Sequence, residues 1–281
     1  GNAALNRTAG YDWWMYLPKS INPDEQIYIY MTVNYHSPTF KYEDLSKNAG
    51  NNIDRYIADK HNFIMITPVI PVMESREYNP RHLHYKSLQP RTPNLYFRPD
   101  LKVNLMLDII RKVLNHKGYN VQNKIIVSGF SVGGVWANRF TVLHPERVKA
   151  VVIGHAGGWL TIPVKRYSDM KLVWPYGLYD YEKLTGYEYD KYEDLKEVSM
   201  RVYIGSEDRN KTVFKKESDI DYFKLWGSQS QDPERLKKQV NYLKRREYNI
   251  NFQLYPGVKH NISEEMQRDN LEYILNNIEK D

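Results

Sequence analysis

One serine in the chain stands in a pattern that suits nucleophilic chemistry. Residues 129–133 read Gly-Phe-Ser-Val-Gly, and the apolar run Ile125–Val127 comes directly before them. A helical pattern over Gly133–Leu143 follows, so the pentapeptide occupies a sharp strand-to-helix turn. Such a turn strains the serine backbone and leaves no room for large side chains two positions away on either side. The pattern predicts that the Ser131 hydroxyl projects from the turn as a nucleophile. A chance match at a tight turn is the alternative interpretation.

The residue after this serine offers a hydrogen-bond donor. The amide of Val132 lies at the predicted start of a helix, where N–H groups lack partners and the helix dipole favours negative charge. It is therefore a candidate donor to the oxyanion that forms when Ser131 attacks a carbonyl carbon. Gly134, two residues after Val132, would let the helix pack closely against its neighbours.

A serine hydroxyl needs a general base, and one of the eight histidines is well placed to act as one. His260 lies in a loop with Pro and Gly, between the last predicted strand, Asn251–Tyr255, and the last predicted helix, Glu264–Glu279. Such a loop can bring an imidazole over the edge of a sheet toward Ser131. A surface histidine without a catalytic role is the alternative.

A carboxylate that orients the imidazole is expected after the preceding strand, Arg201–Ile204. Asp208 follows that strand closely and would stabilise the charged form of His260. Its neighbour Glu207 is a competitor for the role. More distant candidates are Asp219 and Asp221. A loop-capping aspartate is the alternative interpretation of Asp208.

Short β-rich runs alternate along the chain with longer helical patterns, which predicts a mostly parallel sheet flanked by helices. The predicted strands are Tyr11–Leu17, Gln26–Val33, Phe63–Val69, Lys124–Ser128, Val148–Ile153, Arg201–Ile204 and Asn251–Tyr255. The predicted helices are Asn51–Lys60, Asp100–Lys117, Gly133–Leu143, Tyr192–Val198, Pro233–Tyr248 and Glu264–Glu279. The second of these helices is predicted from the helical spacing of Leu101, Leu105, Ile109 and Val113. The candidate nucleophile, base and acid are expected to converge at one edge of the sheet.

No internal repeat or low-complexity linker interrupts the chain, so we expect a single domain over 1–281. Two irregular stretches stand out. The proline-rich loop at 71–99 is long enough to be functional or disordered, and its aromatic residues favour a packed, functional loop. The excursion at 156–190 is a candidate lid or pocket wall, with Trp159, Trp174 and Tyr176 as candidate substrate-binding residues. Such rings could stack on a sugar or a phenolic acyl group, or simply pack the excursion against the domain.

Composition excludes several classes of function. The chain has no cysteine, which excludes disulfides, thiol catalysis and cysteine-ligated metals. It has no run of 18 apolar residues, so we expect no membrane span. A formal net charge of +6 is modest, so we expect no nucleic-acid partner and interpret the basic stretch at 237–246 as a solvated helix face. A nucleic-acid or anionic-polymer surface is the alternative interpretation of that stretch. His82 and His84 have a metal-compatible spacing, but a solvated loop pair is the favoured interpretation.

The compartment and the oligomeric state have no clear signature. The chain begins at Gly1 rather than Met, which would fit an export signal that has been removed. A secreted or periplasmic location is therefore favoured, with the cytoplasm as the alternative.

Taken together, the motifs resemble the α/β-hydrolase superfamily, and within it the esterases grouped around feruloyl esterases, polyhydroxybutyrate depolymerases and esterase D. The resemblance spans roughly Tyr11–Ile278 and is carried by residues 129–134, 144–152, 205–208 and 256–260. It implies that Ser131 is the nucleophile, His260 the general base and Asp208 the acid. It also implies that the Val132 amide is one donor of an oxyanion hole.

The second donor of the oxyanion hole should come from the loop after the strand Gln26–Val33. Many members of the group carry His-Gly there, whereas residues 32–36 here read Thr-Val-Asn-Tyr-His. A backbone amide of any residue can serve, so Thr32 to Tyr35 all qualify, and Asn34 and Tyr35 are favoured.

The implied activity is hydrolysis of a carbohydrate-linked, phenolic or short-chain ester through an acyl-enzyme, without a metal or other cofactor. The substrate would be a small molecule or part of a polymer. A serine peptidase of the same fold is one alternative, although the chain has no room for a β-propeller or a large cap. A non-catalytic binding protein is another, which the intact serine, acid and histidine oppose. A polysaccharide-binding or cell-wall protein would rest only on the aromatic residues and the mild positive charge.

Overall fold

An eight-stranded, mostly parallel β-sheet flanked by helices organises the chain, as its alternating pattern predicted. The computed structural model describes residues 3–7, 11–33, 41–72, 80–157, 159–209, 225–226 and 233–278. The strands of the sheet are β1 (Ala4–Asn6), β2 (Trp13–Tyr16), β3 (Ile29–Thr32), β4 (Ile64–Pro68), β5 (Ile125–Phe130), β6 (Val148–Gly154), β9 (Ser199–Gly205) and β10 (Ile250–Tyr255). A separate two-stranded hairpin consists of β7 (Arg166–Tyr167) and β8 (Met170–Lys171).

The described helices match most of the predicted ones to within a few residues. They are α1 (Tyr42–Asn51), α2 (Arg55–His61), α3 (Tyr85–Leu88), α4 (Pro99–His116), α5 (Val132–Leu143), α6 (Tyr181–Thr185), α7 (Tyr192–Glu197), α8 (Pro233–Lys244) and α9 (Glu264–Ile278). Over the described part of the chain, none of these helices combines the length and the apolar character that crossing a bilayer would require.

The chain divides into two compact units, Gly1–Ser128 and Gly129–Asp281. In the first unit the strand order is β1-β2-β4-β3-β5, with antiparallel pairing of β1 with β2 and of β2 with β4. In the second unit the order is β6-β9-β10, and both pairs are parallel. The expectation of a single domain over 1–281 stays a prediction.

The second unit carries its core on strands that are buried along their length. Every residue of β9 is buried, and so is every residue of β6 except Lys149. Apolar runs of this kind are typical of parallel strands covered on both faces. Because β6, β9 and β10 run in the same direction, the loops that follow them leave one edge of the sheet together. That edge is where the candidate site lies.

One sequence-based prediction about a helix needs correction. The helix predicted over Asn51–Lys60 begins later, at Arg55, because the Asp54 side chain accepts a hydrogen bond from the Ile57 amide at 3.0 Å and caps the start of α2. The separate helix α1 lies before it and reaches the predicted range only at Asn51. The helix predicted over Asp100–Lys117 is confirmed as α4. Leu101, Leu105 and Val113, whose spacing predicted it, are exposed. The buried face consists of Val103, Met106, Leu107, Ile110 and Leu114. Both faces are apolar, so periodicity identifies the helix without identifying its buried side.

The long loop at 71–99 is partly structured. It contains a 3-10 turn at Pro80–His82 and the short helix α3, and residues 73–79 lie outside the described residues. Its expected role as a functional loop stays a prediction.

Candidate active site

The turn between β5 and α5 has the geometry that its glycines predicted. Ser131 adopts φ 56° and ψ −120°, a region that side-chain-bearing residues rarely occupy. A Cβ atom on Gly129 would lie 2.0 Å from the carbonyl oxygen of Gly133, and one on Gly134 would lie 2.4 Å from that of Gly154. Only glycine fits at positions 129 and 134, because both distances are far below van der Waals contact.

The structure brings Ser131, His260 and Asp208 into one hydrogen-bonded chain. The Nε2 atom of His260 lies 2.9 Å from the Ser131 hydroxyl oxygen. The Nδ1 atom of the same ring lies 2.8 Å from Oδ2 of Asp208. Along the sequence, Asp208 is 52 positions from His260 and Ser131 is 129 positions from it. The juxtaposition expected at the edge of the sheet is therefore present, while the catalytic roles stay a prediction.

Hydrogen bonds join the loop after β9, which carries Asp208, to the loop after β10, which carries His260. The Glu207 amide donates to the carbonyl of Val258 at 2.9 Å, and the Gly257 amide donates to the Ser206 hydroxyl at 2.8 Å. A Cβ atom on Gly205 would lie 2.1 Å from the carbonyl oxygen of Val258. The glycine at the end of β9 is needed because it lets the loop that carries His260 approach this closely.

The neighbouring acids Asp208 and Glu207 differ in burial. The Asp208 side chain is fully buried, whereas Glu207 is exposed. The His260 side chain is 24% exposed, so the imidazole stands between the buried carboxylate and solvent. The described geometry favours Asp208 as the partner of His260. The more distant candidates, Asp219 and Asp221, lie outside the described residues.

A second histidine contacts the same carboxylate, and the sequence analysis missed it. His155, directly after β6, places its Nδ1 atom 2.7 Å from Oδ2 of Asp208. Its side chain is fully buried, and its backbone has a φ of 47°. The signal in the sequence was a histidine immediately after a predicted buried strand, where the candidate acid and base also follow their strands.

The two imidazoles and Phe130 form a small aromatic cluster around the carboxylate. The ring centroid of Phe130 lies 4.8 Å from that of His155 and 5.0 Å from that of His260. The two imidazole centroids are 5.4 Å apart and nearly perpendicular. Phe130, the residue before Ser131, thus packs against both imidazoles.

His155, Asp208 and His260 also form a group whose ligand atoms lie within 4.8 Å of one another, close enough to hold a metal ion. The hydrogen bonds do not fit that use. A carboxylate only accepts hydrogen bonds, so both imidazole Nδ1 atoms must donate to it. In this arrangement each Nδ1 carries a proton, which a cation would have to displace.

Only one of the predicted oxyanion-hole donors singled out above lies among the described residues. Val132 is the first residue of α5, where the amide has no intrahelical acceptor. The favoured second donors, Asn34 and Tyr35, lie outside the described residues.

The aromatic excursion is largely a packed structure. Trp159 is 3% exposed and Trp174 is 2% exposed, so neither offers a free ring face to a ligand in this structure. The guanidinium of Arg235 lies 4.3 Å from the ring centroid of Trp159, and Tyr176 meets the same indole edge-on at 5.5 Å. Only Tyr176 among the three candidate substrate-binding residues retains intermediate exposure.

Comparison with protein-family profiles finds no match, and comparison with curated proteins finds none. Solved structures match over nearly the whole chain. A poly(aspartic acid) hydrolase from Sphingomonas sp. KT-1 aligns with a TM-score of 0.62 at 18% identity, covering 98% of this chain and 96% of that one. A poly(3-hydroxybutyrate) depolymerase from Bordetella parapertussis aligns with a TM-score of 0.55 at 16% identity, covering 92% and 84%.

An S-formylglutathione hydrolase from Agrobacterium tumefaciens aligns with a TM-score of 0.52 at 11% identity, covering 99% of this chain and 94% of that one. Identities this low establish a common architecture and not a common activity. The chain therefore has the α/β-hydrolase fold, and the resemblance indicated by its motifs is confirmed at that level.

Proposed function

We propose that the chain is a serine hydrolase that cleaves carboxylic esters through an acyl-enzyme. The observation that carries the proposal is the continuous hydrogen-bonded chain from Asp208 through His260 to the Ser131 hydroxyl. It stands at the start of α5, where helix amides favour negative charge. Nucleophile, base and orienting acid in this order are what acyl transfer at a carbonyl requires.

The proposed reaction has two halves. His260 takes the proton of Ser131 as its oxygen attacks the ester carbonyl, and the imidazolium then gives that proton to the departing alcohol. A water molecule next loses a proton to His260, attacks the acyl-enzyme and releases the acid, which restores Ser131. Asp208 stays ionised throughout and stabilises the imidazolium in both halves.

Charge on the substrate oxygen needs its own stabilisation. The Val132 amide is the proposed first donor, since it lies beside the nucleophile and at the positive end of the α5 dipole. The proposed second donor is the amide of Asn34 or Tyr35.

The proposed substrate is a carbohydrate-linked, phenolic or short-chain ester. Aromatic acyl groups or sugar rings would contact Tyr176, because Trp159 and Trp174 are buried. The likeness to a structure named as a poly(3-hydroxybutyrate) depolymerase supports an ester as the substrate. The proposal therefore includes esters that are part of a polymer.

A panel of 4-nitrophenyl esters of increasing acyl length, with feruloyl esters and acetylated sugars alongside, tests this proposal. We expect turnover of at least one class by the wild type and none above background by Ser131→Ala. A Ser131→Ala protein that keeps full turnover would overturn the assignment of the nucleophile. A folded wild type that neither turns over any ester nor reacts with a fluorophosphonate would favour the non-catalytic binding protein.

Amide hydrolysis is the second candidate, and the likeness to a poly(aspartic acid) hydrolase is the observation that favours it. The same three residues serve an amide, with His260 giving its proton to the departing amine. Poly(aspartic acid) and peptide 4-nitroanilides should be assayed beside the esters. A kcat/KM for an amide that exceeds that for every ester would make this the better assignment.

A further inference from the structure

We propose that His155 is a positioning residue that holds the carboxylate of Asp208 in the orientation in which it accepts the hydrogen bond from His260. The inference rests on the function proposed above and assigns a role to a buried histidine that the reaction itself does not use. Oδ2 of Asp208 receives two imidazoles, His155 at 2.7 Å and His260 at 2.8 Å.

The hydrogen bonds of His155 define its protonation state. The Gly205 amide donates to its Nε2 atom at 3.3 Å, so Nε2 must carry a lone pair. The proton of the neutral ring then lies on Nδ1, where it is donated to Asp208. A neutral ring also fits its surroundings, since the side chain is fully buried between Phe130 and Tyr203.

The backbone at this position indicates that the contact is imposed by the fold. His155 has a φ of 47°, which is uncommon for a residue with a side chain. Its amide donates to the carbonyl of Tyr203 at 2.9 Å, and its own carbonyl accepts from the Gly157 amide at 2.8 Å. Residues in such conformations persist when their surroundings over-determine them, and they cluster at functional sites.

The physical effect of His155 is to restrict Asp208. A buried carboxylate is costly unless hydrogen-bond donors satisfy it, and the donor from His155 adds to the donor from His260 on the same oxygen. The second donor comes from a ring that does not exchange protons with substrate. It holds Oδ2 in one place while His260 alternates between neutral and charged forms.

Two substitutions separate positioning from packing. His155→Leu keeps most of the volume but has no donor. His155→Asn puts an amide N–H where Nδ1 was, and asparagine tolerates a positive φ. We expect kcat of the Leu variant to fall about 10- to 100-fold, the range typical of supporting residues around a site, with KM changed less than about 3-fold. The Asn variant should recover to within about 5-fold of the wild type.

If His155 only fills space, the Asn variant should lose more kcat than the Leu variant, because asparagine removes more volume than leucine does. Equal losses of kcat in both folded variants would overturn the inference, and so would a wild-type kcat in His155→Leu. If His155→Leu does not fold, His155→Gln replaces it, because its N–H lies one carbon further out. A Gln variant as fast as the Asn variant would then contradict the inference.

A spectroscopic measurement works even without a known substrate. The His260 Nδ1 proton that binds a carboxylate gives a low-field proton NMR signal, and its frequency reports the strength of that hydrogen bond. We expect the signal to move in His155→Leu, or in His155→Gln, and to return close to its wild-type position in His155→Asn. An unmoved signal would overturn the positioning role. A moved signal in a protein that hydrolyses no ester would uphold that role while the proposed function failed.

Discussion

The backbone amide of Ser131 donates to the carbonyl of Gly154 at 2.9 Å, which connects the turn that carries the proposed nucleophile to the last residue of β6. The next residue is His155, whose Nδ1 atom lies 2.7 Å from Oδ2 of Asp208. The proposed nucleophile and the proposed acid are thus connected through the end of β6. A change in the distance between α5 and β6 should therefore lower the free energy of unfolding and also disturb the geometry of the candidate site.

Gly134→Ala tests that close approach. The new Cβ atom would lie 2.4 Å from a backbone oxygen, that of Gly154, which cannot move without shifting β6. We expect a loss of about 3 kcal/mol or more in the free energy of unfolding, measured by urea denaturation. Gly186→Ala is the control: its Cβ would meet nothing within 4 Å, and its φ of 83° should cost only about 1 kcal/mol. Equal losses in the two variants would contradict the packing argument.

His260→Ala should remove the general base and leave the fold intact. We expect kcat to fall by about 10⁴-fold or more, the scale seen when one member of a serine–histidine–acid unit is lost. A cooperative thermal unfolding transition should remain, because His260 lies on a loop and is partly exposed and because His155 still donates to Asp208. Activity within tenfold of the wild type would exclude His260 from the mechanism.

Asp208→Asn and Glu207→Gln form a matched pair of charge-removing substitutions. Asp208 is buried against two imidazoles, whereas Glu207 is exposed. An amide at position 208 can turn an N–H toward a histidine that also donates, so we expect kcat to fall by about 10³- to 10⁴-fold. Glu207→Gln should stay within about threefold of the wild type. The opposite ranking of the two kcat values would reassign the acid.

The acid sensitivity of folding should depend in part on Glu146. Burial alone would raise the pKa of this carboxyl, but hydrogen bonds with His144 and Lys191 outweigh it and lower the pKa from 4.5 to about 2. A lowered pKa means that the ionised form stabilises the fold above about pH 4.5, and that this contribution is lost as the pH falls toward 2. The carboxylate is 38% exposed, so solvent screening keeps the effect below about 1 kcal/mol.

Urea denaturation of the wild type and Glu146→Gln at about pH 6, above that window, and at about pH 2.5, near its lower end, measures this contribution. The Gln variant should be less stable at the higher pH, and the difference should shrink at the lower one. Glu193→Gln, at an 83% exposed position, serves as the control and should show no such change. A constant difference between wild type and Glu146→Gln would contradict the linkage.

The juxtaposition of three residues of the candidate site could be predicted because each of them carries a local signature. Ser131 lies in a glycine-framed turn, and Asp208 and His260 each follow a strand. Parallel strands bring such loops to one edge of a sheet, so convergence followed from order along the chain.

The parts that could not be predicted depend on contacts between distant residues. His155 has no flanking motif, and its importance emerges only when Asp208 arrives from another strand. Trp159 has a large aromatic ring of the kind that could stack on a ligand, yet the guanidinium of Arg235 from α8 lies over that ring. The exposed face of α4 is apolar as well, so the buried side of that helix was set by its packing.

The most direct test is the intact mass of the protein after reaction with a fluorophosphonate, followed by peptide mapping of the adduct. The account predicts one phosphonyl group per chain, located on Ser131, and no adduct in Ser131→Ala or at an appreciable rate in His260→Ala. An adduct on another residue, or no adduct on a folded wild type that hydrolyses esters, would contradict it.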